Sequence, residues 1–184
     1  MKFSFFFFLN KCGWAFLLFL QMSLAQAQTM NNSEIIKSFY EAFQRKDYAT
    51  MQSLYAPNAV FSDPAFPNLN GYKAGKMWEM LLMRGKDLVL TFEVKESTDS
   101  TVKAVWIAHY TFSATKRKVV NHIEANFVLE NGKIIRHKDH FKFYKWARQA
   151  TGAVGWLLGW TRFFKRKVQK TALQSLEEYI QKNP

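Results

Sequence analysis

The sequence predicts an α+β domain in which three helices come first, an antiparallel meander follows, and a helical extension closes the chain. Three observations carry this. Apolar residues recur at helical spacing up to Gly85, the period becomes two from Leu88 to Phe143, and helical spacing returns from Gly152.

Taking the elements in order, "SEIIKSFYEAFQR" (33–45) has apolar residues at 35, 36, 39, 40 and 43, with Asn32 and Ser33 as capping candidates. Asp47 opens a short second helix carrying Met51, Leu54 and Tyr55. The stretch "KAGKMWEMLLMRG" repeats the pattern through Met77, Trp78, Leu81 and Leu82 and stops at Gly85. Strands are then expected at Leu88–Val94, Val102–Phe112, Val119–Leu129 and Ile134–Phe143, with Asn131-Gly132 as the hairpin turn between the last two. The tail "GAVGWLLGWTRFFKRKVQKTALQSLEEYIQ" predicts one long helix or two shorter ones.

The first 27 residues have the order of a secretory signal. Lys2 heads them, the apolar runs Phe3–Leu9 and Cys12–Leu20 follow, and Ala25-Gln26-Ala27 is a small-x-small cleavage site. Neither run reaches the roughly 18 residues a spanning helix needs. The expected organisation is a signal over 1–27, a single domain over 28–146 and an amphipathic helical extension over 147–184, with an exported, periplasmic or secreted product.

Cleavage after Ala27 leaves 184 − 27 = 157 residues without a cysteine, since Cys12 is the only one. That excludes thiol catalysis and Cys-ligated zinc for the mature chain. The formal charge of +12 falls to +10 without Lys2 and Lys11, and "RFFKRKVQK" (162–170) holds five of the remaining cations. None of the base-reading nucleic-acid motifs accompanies this basicity, so no nucleic-acid partner is expected. The charge is read as a solvated or anion-facing surface.

The phrases "IIKSFYEAF", "KDYATMQSLYAPNAVFSDPAF" and "ENGKIIRHKDHF" resemble the nuclear-transport-factor-two-like superfamily, nearest its SnoaL-like and ketosteroid-isomerase-like branch. The resemblance covers about Ser33 to Tyr144, and the Tyr55–Pro64 phrase is its most specific part. It implies a curved sheet wrapped by three helices, a cone whose mouth takes a small, mostly apolar ligand. It also implies that Asp63, the aspartate before proline, falls on the general base of ketosteroid isomerases. Their other groups do not carry over: the oxyanion tyrosine falls on Phe39 and the second acid on Ala125, with Glu124 the alternative register. In the limonene-epoxide-hydrolase relatives a late aspartate corresponds to Asp139, while their arginine–x–aspartate has no counterpart in "AVWIAHYTF".

Strand alternation puts His137, Asp139, Phe141 and Phe143 on one face, and Trp106, Ala108 and Tyr110 on one face of the neighbouring expected strand. The candidate catalytic residues are therefore Asp63, His137 and Asp139, an imidazole and two carboxylates able to share a proton. The candidate ligand-contacting residues are Phe39, Tyr110, Phe112, Phe127 and Phe141. His109 and His140 point off the face carrying His137 and Asp139, so no metal site and no cofactor are expected.

Several alternatives stay open at this level. Asp63 is either a functional acid or a turn-capping residue before Pro64, and the protein is either an acid–base enzyme or a passive binder of a small apolar ligand. A homodimer is also open. Trp156, Trp160, Phe163, Lys165 and Arg166 either contact a membrane surface or belong to a helix packed on the domain.

Overall fold

The computed structural model describes residues 31–184; the expected signal over 1–27 lies outside the described residues. Helix α1 (Asn32–Gln44) starts one residue earlier than the capping candidates suggest, because the Asn31 side chain accepts from the Ser33 N–H. It buries Ile35, Ile36, Phe39, Tyr40, Ala42 and Phe43. Helix α2 (Tyr48–Ser53) is capped by Asp47, which accepts from Thr50 N at 3.0 Å.

Here the expectation needs correcting. Tyr55 does not continue α2 but opens a strand, β1 (Tyr55–Ser62). Pro57 is the physical reason: it lacks an N–H and keeps the residue before it out of the helical region, so the chain extends after Leu54. A short strand β2 (Leu69–Asn70) leads into helix α3 (Gly71–Arg84), whose N-cap Asn70 accepts from Lys73 N at 2.9 Å.

The meander follows as β3 (Val89–Ser97), β4 (Thr101–Phe112), β5 (Arg117–Glu130) and β6 (Lys133–Phe141). Asn131 (φ 50°) and Gly132 (φ 74°) both adopt left-handed backbone in the β5–β6 turn, the geometry a two-residue hairpin requires. The sheet runs β2-β1-β6-β5-β4-β3, with antiparallel neighbours except for β1 beside β6, which run parallel. Its inner face carries the predicted alternation: Ala104, Trp106 and Ala108 from β4, Ala125, Phe127 and Leu129 from β5, and His137, Asp139 and Phe141 from β6 are all buried. Helices α1 and α3 supply the opposing apolar faces.

Phe143 is off that face. The last strand ends at Phe141, and Phe143 begins helix α4 (Phe143–Thr151). This helix is stitched to β5 by the Gln149 amide, which accepts from Val120 N at 2.9 Å and donates to Val120 O at 3.1 Å. Helix α5 (Ala153–Leu158) and helix α6 (Arg162–Lys182) complete the tail, two helices over the stretch from Gly152 where one or two were expected, with α4 an added helix before it. Helix α6 lies along α3 with Phe164 and Leu176 buried. Polar ties reinforce the contact: Arg84 donates to Ser175 Oγ at 2.7 Å, Lys76 to Asn183 O at 2.8 Å, and Lys73 pairs with Glu177.

Candidate functional site

A cavity of about 530 Å³ opens between the inner face of the sheet and the helices. Trp78 and Met77 of α3 border it on one side, and Trp106, Tyr110, Ile123 and Phe141 of the sheet on another. Helix α6 closes it with Phe164, Lys167, Val168 and Ala172. Gln169 ties α6 to the turn after β1 by donating to Pro64 O at 3.1 Å. A second hollow, beside Arg166, Lys170, Gln174 and Glu177, lies on the outer side of α6 and faces solvent.

Two carboxyl groups face the cavity, Asp63 and Asp139. Alternation places Asp63 two residues beyond the buried Phe61 and therefore on the inner side. Its Oδ1 accepts from Ala65 N at 2.7 Å and from Phe66 N, while its own N–H donates to Phe66 O at 3.0 Å. Asp63 is thus a turn cap and a cavity acid at once. Burial pushes its pKa up to about 7, opposed by the Phe66 N–H and reinforced by the charge of Asp139. Part of its surface stays reachable because it faces the cavity, although protein atoms surround it.

Tyr110 borders the same space. Its hydroxyl accepts from Trp146 Nε1 at 2.9 Å, which leaves its own proton free to be donated into the cavity. Burial raises its pKa to about 12, so it remains a neutral donor.

Behind Asp139 runs a directed chain of hydrogen bonds. Trp78 Nε1 donates to the Tyr55 hydroxyl at 2.9 Å, and that hydroxyl lies 2.7 Å from His137 Nδ1. An ionised carboxylate can only accept, so the ring nitrogen facing Asp139 is the one that donates, which leaves Nδ1 to face the Tyr55 hydroxyl. Nε2 lies 2.9 Å from Asp139 Oδ1. Every member is consequently oriented, and Asp139 is fixed by a partner that is itself fixed. Two buried polar atoms have no partner among the described residues, the Tyr40 hydroxyl and the Trp106 indole N–H. Also among the described residues, no three His, Cys, Asp or Glu side chains gather closely enough to hold a metal ion.

Residues 36–137, more than half of the chain, match the SnoaL-like domain. The chain belongs to the SnoaL-like family. Its architecture is similar to that of a candidate polyketide cyclase from Xanthomonas campestris, 18% identical, with 65% of this chain and 96% of that one aligned at a TM-score of 0.58. An NTF2-like protein of unknown function from Burkholderia pseudomallei aligns over 66% and 98% at 20% identity and 0.57. An LEH-like epoxide hydrolase from M. tuberculosis aligns over 68% and 92% at 15% identity and 0.52. At such identities the likeness shows the nuclear-transport-factor-two-like fold alone. No curated protein matches the sequence.

Within this SnoaL-like domain the sequence candidates separate into two layers. Asp63, Asp139, Tyr110, Phe112 and Phe141 line the cavity. His137, Phe39 and Phe127 do not line it; they are fully buried behind it, with the Phe127 ring 4.0 Å and the Phe39 ring 5.6 Å from the imidazole by centroid. The reason is steric: Trp78 fills the space on the cavity side of Phe39. Sequence reasoning missed Tyr55 as a polar partner, because it was placed on a helix, and missed the pairing of Trp146 with Tyr110. A period-two reading of Tyr55–Ser62 would have placed Ala59, Phe61 and Asp63 on one side, but nothing local marks Tyr55 as the partner of a residue 82 positions later.

Proposed function

We propose that this protein is an acid–base enzyme of the cyclase or isomerase kind, acting after export on a small, mostly apolar carbonyl compound. The observation that carries the reading is Asp63: a carboxyl group held by its own turn, facing an apolar cavity, with a titration point near neutral. The SnoaL-like membership and the candidate polyketide cyclases of the same fold support the reaction class.

In this mechanism the Asp63 carboxylate takes a proton from the carbon next to a carbonyl, and the C–H electrons move onto the carbonyl oxygen. Tyr110 O–H donates to that developing oxyanion, with Trp146 holding the phenol in place. With a β,γ-unsaturated substrate, protonated Asp63 then returns the proton at the γ-carbon, which gives the conjugated isomer; with a second carbonyl in reach, the enolate carbon attacks it, the C=O electrons become an alkoxide, and protonated Asp63 gives that oxygen its proton as the ring closes. Burial first, and the neighbouring Asp139 second, keep Asp63 basic enough to act. His137 is a positioning residue for Asp139, since it does not reach the cavity.

A passive binding protein is the second reading, favoured by the two backbone N–H groups that engage Oδ1 of Asp63 as an ordinary cap. Exchange of the α-protons of cyclohexanone in deuterium oxide distinguishes the two. Faster exchange with the parent, lowered roughly 10²–10⁴-fold in Asp63→Asn, supports catalysis. Equal exchange by parent and variant ends it. Export is checked separately, by mass spectrometry of the protein from its own host, which should find a chain beginning within a few residues of Gln28.

A further inference from the structure

The tail holds a surface that the cavity chemistry does not use. In α5, Gly155 is buried against α4, so close that a Cβ built there would lie 2.0 Å from Ala147 O. Gly159 meets the same helix, with a Cβ placed 2.8 Å from Ala147 Cβ. The glycine edge therefore faces inward and the large apolar side chains are left outside. Trp156 is 59% exposed, Leu157 60%, Trp160 73% and Phe163 71%, and Val154 and Leu158 extend the same patch. A water-facing helix normally shows the reverse order. The backbone here is tied to α4, with Tyr144 donating to Trp156 O at 3.0 Å, and the Trp160 indole is held by donating to Leu157 O at 3.0 Å.

Charge decides what covers this patch. From Lys142 to Leu176 the sequence has eight lysines and arginines and no aspartate or glutamate. None of the eight forms an ion pair among the described residues. Arg162, Arg166, Lys167 and Lys170 are exposed on the first turns of α6, directly after the aromatic patch. Cations stay beside the rings as well, with Lys165 Nζ 5.8 Å from the Phe143 centroid and Arg148 5.6 Å from that of Tyr144. Among the described residues no helix is long and apolar enough to cross a membrane.

We infer that α5 and the start of α6 form a docking surface for an anionic lipid bilayer, with Trp156, Trp160 and Phe163 inserted at the interface and the basic side chains on the headgroups. The combination of an exposed aromatic patch with a carboxylate-free basic rim is what such a surface recognises. A second copy of this chain fits less well, because it would bring eight more cations against eight. One consequence follows for the cavity: Phe164 and Lys167, which close it, are neighbours in sequence of Phe163 and Arg166, which face out. Docking therefore sets the helix that closes the cavity against the lipid.

The test is co-sedimentation of the protein, in the processed form its host makes, with vesicles of phosphatidylcholine mixed with phosphatidylglycerol and with vesicles of phosphatidylcholine alone. Binding is expected only to the anionic vesicles and should weaken as salt is raised. The variant carrying Trp156→Ser, Trp160→Ser and Phe163→Ser should bind roughly tenfold or more weakly while melting at the parent temperature, since all three side chains are already in water. A second variant, Arg162→Glu with Arg166→Glu, should lose binding without touching the aromatic patch. Equal sedimentation of parent and both variants overturns the inference, as does a parent that ignores anionic vesicles. A dimer in solution that the serine variant abolishes, with no vesicle binding, assigns the patch to a second copy instead. Cyclohexanone exchange by the serine variant should match the parent, so failure here is separable from failure of the acid–base reading.

Discussion

The His137 imidazole donates through Nε2 to Asp139 Oδ1 at 2.9 Å, and both side chains are almost wholly buried, at 1% and 4% exposure. The direction of this bond follows from the carboxylate, which can only accept, and Nδ1 on the other side of the ring faces the Tyr55 hydroxyl that Trp78 holds. Nitrogen chemical shifts of the His137 ring should therefore report the Nε2–H tautomer at neutral pH. An Nδ1–H signal would contradict the network. Tyr55→Phe removes the link between them, leaves the Trp78 N–H and His137 Nδ1 without partners, and should cost about 2–4 kcal/mol of stability in a denaturant titration.

Asp63 makes a pH-dependent difference that one substitution isolates. Its folded pKa of about 7 lies above the ordinary aspartate value of 3.8, so the folded state holds the proton more tightly than the unfolded chain. Stability from this group is full below about 4 and is lost as pH rises through about 7. Asn accepts the same turn hydrogen bonds at Oδ1 and does not ionise. Asp63→Asn should therefore melt near the parent at pH 4 and above it at pH 8. A gap between the two melting temperatures that does not widen across this interval would show that the carboxyl is not buried as described.

The same titration governs turnover. If Asp63 is the base, the rate of α-proton exchange should rise with pH and level off above about 7, where the carboxylate is fully formed. A profile that is flat from pH 5 to 9 would remove Asp63 from the reaction.

Tyr110→Phe deletes the only hydroxyl proton that the Trp146–Tyr110 pair offers to the cavity. Exchange should fall about 10²–10³-fold, the size of losing one oxyanion donor. Stability should drop as well, by about 1–3 kcal/mol, because the Trp146 N–H is left without its acceptor. Full activity in this variant would assign Tyr110 to the wall alone.

The hydroxyl of Tyr40 has no partner among the described residues, although the ring stacks on Phe92 with centroids 4.9 Å apart. Tyr40→Phe keeps the stacking and deletes the unpaired group. Its melting temperature should equal or exceed that of the parent. A loss above about 1 kcal/mol would mean that the hydroxyl has a partner, such as an ordered water.

By itself the sequence determined the first three helices, the four long strands and the inward face of β6 up to Phe141, because each follows from the spacing of apolar residues within one segment. It also brought Asp63, His137 and Asp139 forward, through a phrase and an alternation that are both local. What it could not decide depends on partners far apart in the chain. Tyr55 meets His137 across 82 positions, and β1, which Pro57 keeps out of a helix, finds backbone partners in β6 and β2. The two layers of the site, Asp139 at the cavity and His137 behind it, are separated by where Trp78 fills space, a matter of packed volume rather than pattern. The tail shows the same division. Its aromatic and basic composition is plain in the sequence, but which side faces water was decided by Gly155 and Gly159, whose missing side chains let α5 press that edge against α4 and leave Trp156 and Trp160 outside.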